Sequence, residues 1–132
     1  MIDRVDQTLA LWRSRPFEWG QADCMLSIGD YLALCGAVDV TGQFRGRYTT
    51  EREALDHLAA SGGVGGLIEM TGAVRVPGDE CQRGDVVSLD TGEIEVGALC
   101  TGSGIAARMH RGVKELDRRF VRLAGVWRVN SR

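Results

Sequence analysis

Apolar side chains recur at every third or fourth position in the first sixty residues, the spacing of one face of an α-helix. The first such segment covers about residues 2–14, and Pro16 ends it because a proline disfavours helical backbone in the preceding residue. A second helix is predicted from Asp23, a favourable N-cap residue, to Leu34, with Gly36 as its C-terminal stop. The predicted buried faces are Ile2, Val5, Leu9 and Trp12 in the first helix and Ile28, Tyr31, Leu32 and Cys35 in the second.

A third helical segment is predicted over about residues 51–60. Thr50 followed by Glu53 has the pattern of a capping box, which satisfies backbone N–H groups at a helix start. A Gly-Gly pair ends this segment, and residues 65–70 could add one more helical turn. The predicted buried side chains of the third helix are Ala54, Leu55, Leu58 and Ala59.

From Ala73 onwards the apolar period shifts towards two, which is typical of β-strands. Glycine-containing turns separate the apolar runs, whereas the mixed charges of residues 114–122 indicate a surface segment. The predicted fold is therefore α+β, with N-terminal helices packed on a C-terminal antiparallel sheet. The predicted strands are residues 86–89, 96–100, 105–107 and 121–129.

Length and composition favour an ordinary globular protein. The 132 residues predict a single domain over residues 1–132, and 44% are hydrophobic and 26% charged. The 16 basic and 18 acidic residues give a net charge of −2, which argues against nucleic acid as a partner. No apolar run is long enough to cross a membrane, and the charged start at residues 1–6 has no signal-peptide pattern. We therefore expect synthesis in the bacterial cytoplasm without secretion by a signal peptide.

Four cysteines stand at irregular spacings, at positions 24, 35, 81 and 100. None forms the short Cys-x-x-Cys pair of most zinc and iron–sulfur sites, so we expect no metal and no cofactor. Cys24 differs from the others because it falls in the first turn of the second predicted helix. Backbone N–H groups and the helix dipole favour a thiolate there, whereas the neighbouring Asp23 disfavours it. The alternative is that Cys24 is a small packed residue.

A nucleophilic cysteine needs a general base, and the chain has two histidines. His57 lies inside the third predicted helix, on its expected solvent face. His110 follows the predicted strand at residues 105–107, and Arg108 and Arg111 beside it indicate an exposed, cation-rich turn. Neither histidine stands at an informative spacing from Cys24.

Three segments together resemble the NlpC/P60 superfamily of papain-like cysteine peptidases. Residues 17–26 (FEWGQADCML) resemble its aromatic–glycine loop and the Asp-Cys start of its catalytic helix. Residues 83–87 (RGDVV) are similar to the turn into its first central strand, and residues 96–102 (VGALCTG) to the strand after its catalytic histidine. With residues 45–48 (RGRY) and 124–129 (AGVWRV), the likeness points to a small branch found among tail genes of siphophages and gene transfer agents.

The resemblance implies a papain-like fold with Cys24 in the position of the nucleophile and with Trp19 and Asp23 on the substrate side. The residue before the Val-Gly pair should be the catalytic histidine, and here it is Glu95. A carboxylate is a poor substitute, because its pKa of about 4 makes removal of a thiol proton strongly uphill. A carboxylate beside Cys24 would also raise the pKa of the thiol.

The third polar residue of the family's site is expected near residues 105–107, where the chain has only isoleucine and alanine. His110 comes about one turn of chain later and is a candidate base only if the strand register shifts. The resemblance therefore argues for the fold more strongly than for the reaction.

Three functions follow as hypotheses. The first is a structural protein of a phage-type tail tip or of tail assembly, located in the virion, with other tail-tip or baseplate proteins as partners and with hydrolysis lost. The second is an active cysteine peptidase that cleaves peptidoglycan stem peptides with Cys24 and an unorthodox base, His110 or His57. The third is a host-side or assembly-side binding module that holds a cell-wall fragment or a partner in the former substrate groove without cleaving it.

Overall fold

The computed structural model describes residues 3–129, which form four α-helices and a six-stranded antiparallel sheet. The α+β class and the order of helices before strands are as predicted. No helix in this range combines the length and apolarity needed to cross a bilayer. The helices are α1 (Arg4–Ser14), α2 (Cys24–Leu34), α3 (Glu51–Ala60) and α4 (Gly63–Met70).

The helix starts follow the predicted caps. The Asp23 carboxylate accepts hydrogen bonds at the start of α2, and the Thr50 hydroxyl accepts one at the start of α3. Gly36 has a φ of +98° and follows the end of α2, in the left-handed conformation that glycine tolerates. Helix α1 begins after Asp3 and ends before Pro16 as expected, and Ile2 lies outside the described residues.

Two helical predictions need correction. Helix α4 has eight residues rather than the single turn predicted at residues 65–70. The predicted apolar side chains of α3 are not fully buried, because α3 packs mainly on α4 and not on the sheet. Ala54, Leu55 and Leu58 are half-buried, and Ala59 is exposed.

The strand order in the sheet is β1-β6-β2-β3-β4-β5. The sequence did not indicate the two edge strands, β1 and β5. Strand β5 pairs with β4 along its whole length, but most of its side chains face solvent, so it has no apolar alternation to detect. The strands are β1 (Val74–Val76), β2 (Val86–Asp90), β3 (Glu95–Cys100), β4 (Gly104–Met109), β5 (Gly112–Asp117) and β6 (Arg122–Arg128).

The sheet is buried on two faces. The helix face packs against α1, α2 and α4, and it carries Val86, Leu99 and Ala106. The opposite face has its own apolar cluster, with Val87 and Ala98 at its centre. Because side chains alternate along a strand, this assignment fixes the face of every other residue in β3 and β4.

Strands β3 and β4 are six residues each, yet they pair only at Leu99–Ala106 and Cys100–Ile105. The two strands therefore separate towards Glu95 and Met109. Helix α2 contacts β3 and β4. Its first residue, Cys24, packs against the cluster on the opposite face.

Candidate functional site

Asp23 organises the loop that precedes Cys24. It is 1% exposed, and its Oδ1 accepts hydrogen bonds from the backbone N–H groups of Met25 (3.1 Å) and Leu26 (2.9 Å). Its Oδ2 accepts from the Gly20 N–H at 2.9 Å and from the Tyr48 hydroxyl at 2.5 Å. Four donors compensate the buried charge, so Asp23 is a structural cap. The substrate-side role implied for it has no free acceptor oxygen to act through.

Residues 45–48 form hydrogen bonds with the loop that precedes Cys24. The Gly46 N–H donates to the Gly20 carbonyl at 2.8 Å, and the Arg45 guanidinium donates to the Gln21 carbonyl at 2.5 Å. Gly20 has a φ of +80°, and a Cβ atom there would lie 2.0 Å from the Tyr48 carbonyl oxygen. Only glycine fits this close approach, so the aromatic–glycine loop and the basic–aromatic loop are one structural unit.

Cys24 lines a cavity of about 140 Å³ between the start of α2, helix α3 and the separated ends of β3 and β4. The cavity walls are largely apolar side chains. Trp19, placed by the resemblance on the substrate side, lines the same cavity and packs edge-on against Phe17 with ring centroids 4.8 Å apart. The geometry thus brings Trp19 and Cys24 to one concave site, as expected of a binding pocket.

The electrostatics of this site keep the Cys24 thiol protonated. Burial raises its pKa to about 12, and the negative charges of Asp23 and Glu51 add to the effect. The backbone N–H groups at the helix start lower the pKa of the thiol, but by less than burial raises it. The thiolate-favouring effect of the helix start is therefore overridden, and Asp23 opposes it as the sequence suggested.

Glu95 opens β3 and lines the cavity on the helix face. Its Oε1 accepts a hydrogen bond from the Ser88 hydroxyl at 2.7 Å, and the residue is exposed. Glu95 therefore stands at the cavity but is held by the neighbouring strand. The acidic charges that raise the pKa of Cys24 are those of Asp23, as expected, and of Glu51, which the sequence did not indicate.

Arg108 is a residue of this site that the sequence analysis misplaced. We expected it in an exposed turn, yet it is 3% exposed. It is the next residue of β4 after Ala106 on the helix face, and its guanidinium donates to the Arg15 carbonyl. Burial lowers its pKa, while the charge of Asp23 acts to raise it. The expectation of an exposed turn at Arg108 was therefore wrong, because the residue belongs to β4 and faces the helices.

The two histidines line the cavity but do not activate the thiol. His110 is exposed in the turn after β4, as predicted, and its ring lies 5.3 Å from that of Phe17. His57 is half-buried rather than on a solvent face, with its ring 5.5 Å from that of Tyr48. Within residues 3–129 no hydrogen bond joins either imidazole to the Cys24 thiol, and the same range holds no cluster of metal-ligating side chains.

Sequence reasoning missed three contributors to the site: Glu51, Arg108 and Tyr48. Tyr48 and Glu51 come from the loop before α3 and from its first turn, so their approach to Cys24 depends on a long-range contact. Two features of the sequence could have indicated the positions of Tyr48 and Arg108. The glycine at position 20 needs a close partner, and the alternation of β4 places residue 108 with residue 106.

The fold and site define an α+β protein with a half-buried thiol of raised pKa at a helix start, facing an apolar cavity. The chain belongs to the family described as a domain of unknown function, DUF6950, which matches residues 2–129. No curated protein and no solved structure matches the chain.

Proposed function

We propose that the chain adopts an NlpC/P60-like variant of the papain fold and serves as a structural protein of a phage-type tail tip or of tail assembly. In this proposal the scaffold of a peptidase is retained and hydrolysis is lost. Its partners are other tail-tip or baseplate proteins, and its final location is the virion.

Support for the fold comes from contacts between the segments that resemble the superfamily. The Tyr31 hydroxyl of α2 donates to the Gly84 carbonyl at 2.7 Å, joining the catalytic-type helix to the turn before β2. A Cβ atom at Gly97 would lie 3.1 Å from Ile28, so glycine allows α2 to approach β3 closely. The Arg128 guanidinium binds the Asp85 carboxylate through two 2.9 Å hydrogen bonds. The resembling motifs are thus physically interdependent.

The single observation that carries the loss of hydrolysis is the state of the Cys24 thiol. Its pKa is raised to about 12, and Glu95 stands where a histidine would be needed to take its proton. A thiol is a weak nucleophile, and attack on a peptide carbonyl requires the thiolate or a positioned base. The described geometry supplies neither.

The structural role is tested by complementation of a particle that carries this chain. Deletion of its gene should block tail assembly, and wild type and Cys24→Ala should restore particle yield equally. Asp85→Ala, which removes a buried ion-pair partner, serves as a variant with a weakened fold. Purified particles that lack the chain, or a folded Cys24→Ala protein that fails to restore assembly, would contradict the proposal.

One observation favours a second candidate, an active peptidase acting on peptidoglycan stem peptides. Cys24, His57 and His110 all line one cavity, so a rearrangement of a side chain could bring an imidazole to the thiol. The test is incubation with muropeptides, comparing wild type with Cys24→Ala. Products that disappear in Cys24→Ala, and in His110→Gln or His57→Gln, would establish this candidate. Equal product yields from wild type and Cys24→Ala would remove it.

A further inference from the structure

Two other cysteines meet at the far end of β3 from Cys24. Cys100 is the last residue of β3 and is 4% exposed, whereas Cys81 is half-buried in the connection between β1 and β2. Cys81 packs on the apolar cluster that contains Cys100, and the two thiols interact directly through their sulfur atoms. Both cysteines are free thiols in this structure.

The backbone holds this pair in register. The Gly84 N–H donates to the Cys100 carbonyl at 2.9 Å, and the Cys100 N–H donates to the Asp85 carbonyl at 2.8 Å. The Asp85 carboxylate accepts from the Gln82 N–H at 2.8 Å, which closes the turn that begins at Cys81. These hydrogen bonds hold the backbone of Cys100 and of the turn that follows Cys81.

The two thiols differ in the direction in which their pKa values are shifted. The Cys81 thiol interacts with Cys100 as donor, which lowers the pKa of Cys100 and raises that of Cys81. Asp85 raises the pKa of each thiol, and Arg118 lowers it. Cys100 therefore has the lower pKa of the pair and ionises more readily, whereas Cys81 is the more exposed thiol.

We propose that Cys81 and Cys100 form an intrachain disulfide by exchange with small-molecule disulfides. Cys81, the more exposed thiol, loses its proton to solvent and attacks one sulfur of the external disulfide, releasing the first small thiolate. Cys100 then loses its proton and attacks the Cys81 sulfur, which releases the second small thiolate and forms the S–S bond. The protein loses two electrons and two protons, and the external disulfide gains them as two thiols.

This bond would tie the connection between β1 and β2 to the central strand β3. Closing the chain between positions 81 and 100 restricts the unfolded state, so the oxidised protein should melt at a higher temperature, by about 10 °C. The inference does not depend on the proposed tail function, because it uses residues at the other end of β3 from the Cys24 cavity.

The experiment treats the reduced, full-length protein with oxidised glutathione and maps its cysteines by mass spectrometry without reduction. We expect a monomer about 2 Da lighter, with a peptide that links Cys81 to Cys100 and with Cys24 and Cys35 still free. A stable glutathione adduct at Cys81 without the linked peptide would overturn the proposal. Links that involve Cys24 or Cys35 instead, or no oxidation at all, would do the same.

Matched variants separate this pair from the other thiols. Cys35→Ser removes a half-buried thiol outside the pair and should oxidise as the wild type does. Cys81→Ser should retain a single glutathione or no modification and should show no melting shift after oxidation. If Cys81→Ser melts higher after oxidation just as the wild type does, the stabilising bond is not the one proposed.

Discussion

The two ends of strand β3 each carry a cysteine site, and the two sites differ in the state of their thiols. At the first end, Cys24 faces an apolar cavity next to the buried carboxylate of Asp23. At the other end, Cys100 contacts a second thiol, that of Cys81, close to the cation Arg118. Burial and negative charge raise the pKa of Cys24, whereas the neighbouring thiol lowers that of Cys100.

This contrast teaches that a position at a helix start does not by itself activate a cysteine. The N–H groups of α2 lower the pKa of Cys24, but desolvation is the larger effect. A hydrogen-bond donor in contact with the sulfur lowers the pKa of Cys100, and that donor is the Cys81 thiol. At the Cys24 end the donors are backbone N–H groups, and their effect on the pKa is smaller than that of burial.

The largest expected effect on stability comes from breaking the ion pair between Asp85 and Arg128, which lies at the Cys100 end of the sheet. The side chain of Asp85 is 3% exposed and makes two hydrogen bonds to Arg128. Asp85→Asn should destabilise the protein by about 3 kcal/mol, because it leaves the guanidinium without its charged partner. Urea unfolding monitored by circular dichroism measures this loss. A change below about 1 kcal/mol would show that the pair is not a main support of this end.

The second effect is alkaline lability at the Cys24 end. The pKa of the folded thiol is about 12, against an ordinary value of 9.0, so its contribution to stability is present below pH 9 and lost between pH 9 and 12. At pH 10.5 the wild type should have lost about 2 kcal/mol more than Cys24→Ala, relative to neutral pH. Tyr31, whose pKa is also raised by burial, acts equally in both proteins. The pKa of Tyr48 is raised by burial and additionally by the charge of Cys24, so its small extra contribution is confined to the wild type. Parallel stability–pH curves would contradict the burial of the thiol.

The third effect concerns the position that a catalytic histidine would occupy. Glu95→His should speed alkylation of Cys24 by iodoacetamide at pH 6.5 by about tenfold, because an imidazolium at the cavity favours the thiolate. Glu93→His, in the exposed turn between β2 and β3, is the matched control and should leave the rate unchanged. Equal rates in the two variants would show that residue 95 does not act on the thiol.

The smallest effect is expected for the exposed ion pairs that flank the Cys100 end. Arg83 binds Asp6 at 2.9 Å, and this carboxylate is largely solvated. Asp6→Asn should change stability by less than about 0.5 kcal/mol, since surface pairs contribute little. It makes the same chemical change as Asp85→Asn, so urea unfolding of the two variants compares buried and exposed pairing directly. A comparable loss in both would remove the distinction.

Local chemistry made the helices and the central strands predictable. Asp23, Thr50 and Gly36 act within one or two turns of their own backbone, so caps and stops can be recognised without the fold. Apolar runs bounded by glycine-containing turns identified β2, β3 and β4, because strands buried on both faces are apolar at nearly every position. Strand β5 was not predicted, because an exposed edge strand of mainly charged residues has no apolar run to recognise.

The candidate site could be predicted only in part, because local signals mark some of its residues and long-range contacts bring in the others. Cys24, Trp19 and Glu95 lie in segments with a recognisable order, and the structure brings them to one cavity. Arg108 was expected in solvent, because two neighbouring arginines suggest an exposed turn and its burial depends on how β3 and β4 separate. Glu51 acts on Cys24 across the fold, so its effect on the thiol has no local signature.

The most direct test of the account is the rate at which iodoacetamide labels each cysteine of the folded protein at pH 6.5, followed by peptide mass spectrometry. The account predicts that Cys24 is labelled slowly while the protein is folded and reacts readily only after unfolding in urea. Labelling of Cys24 ahead of the other three cysteines in the folded protein would contradict it, because that result requires an ionised thiol at the start of α2.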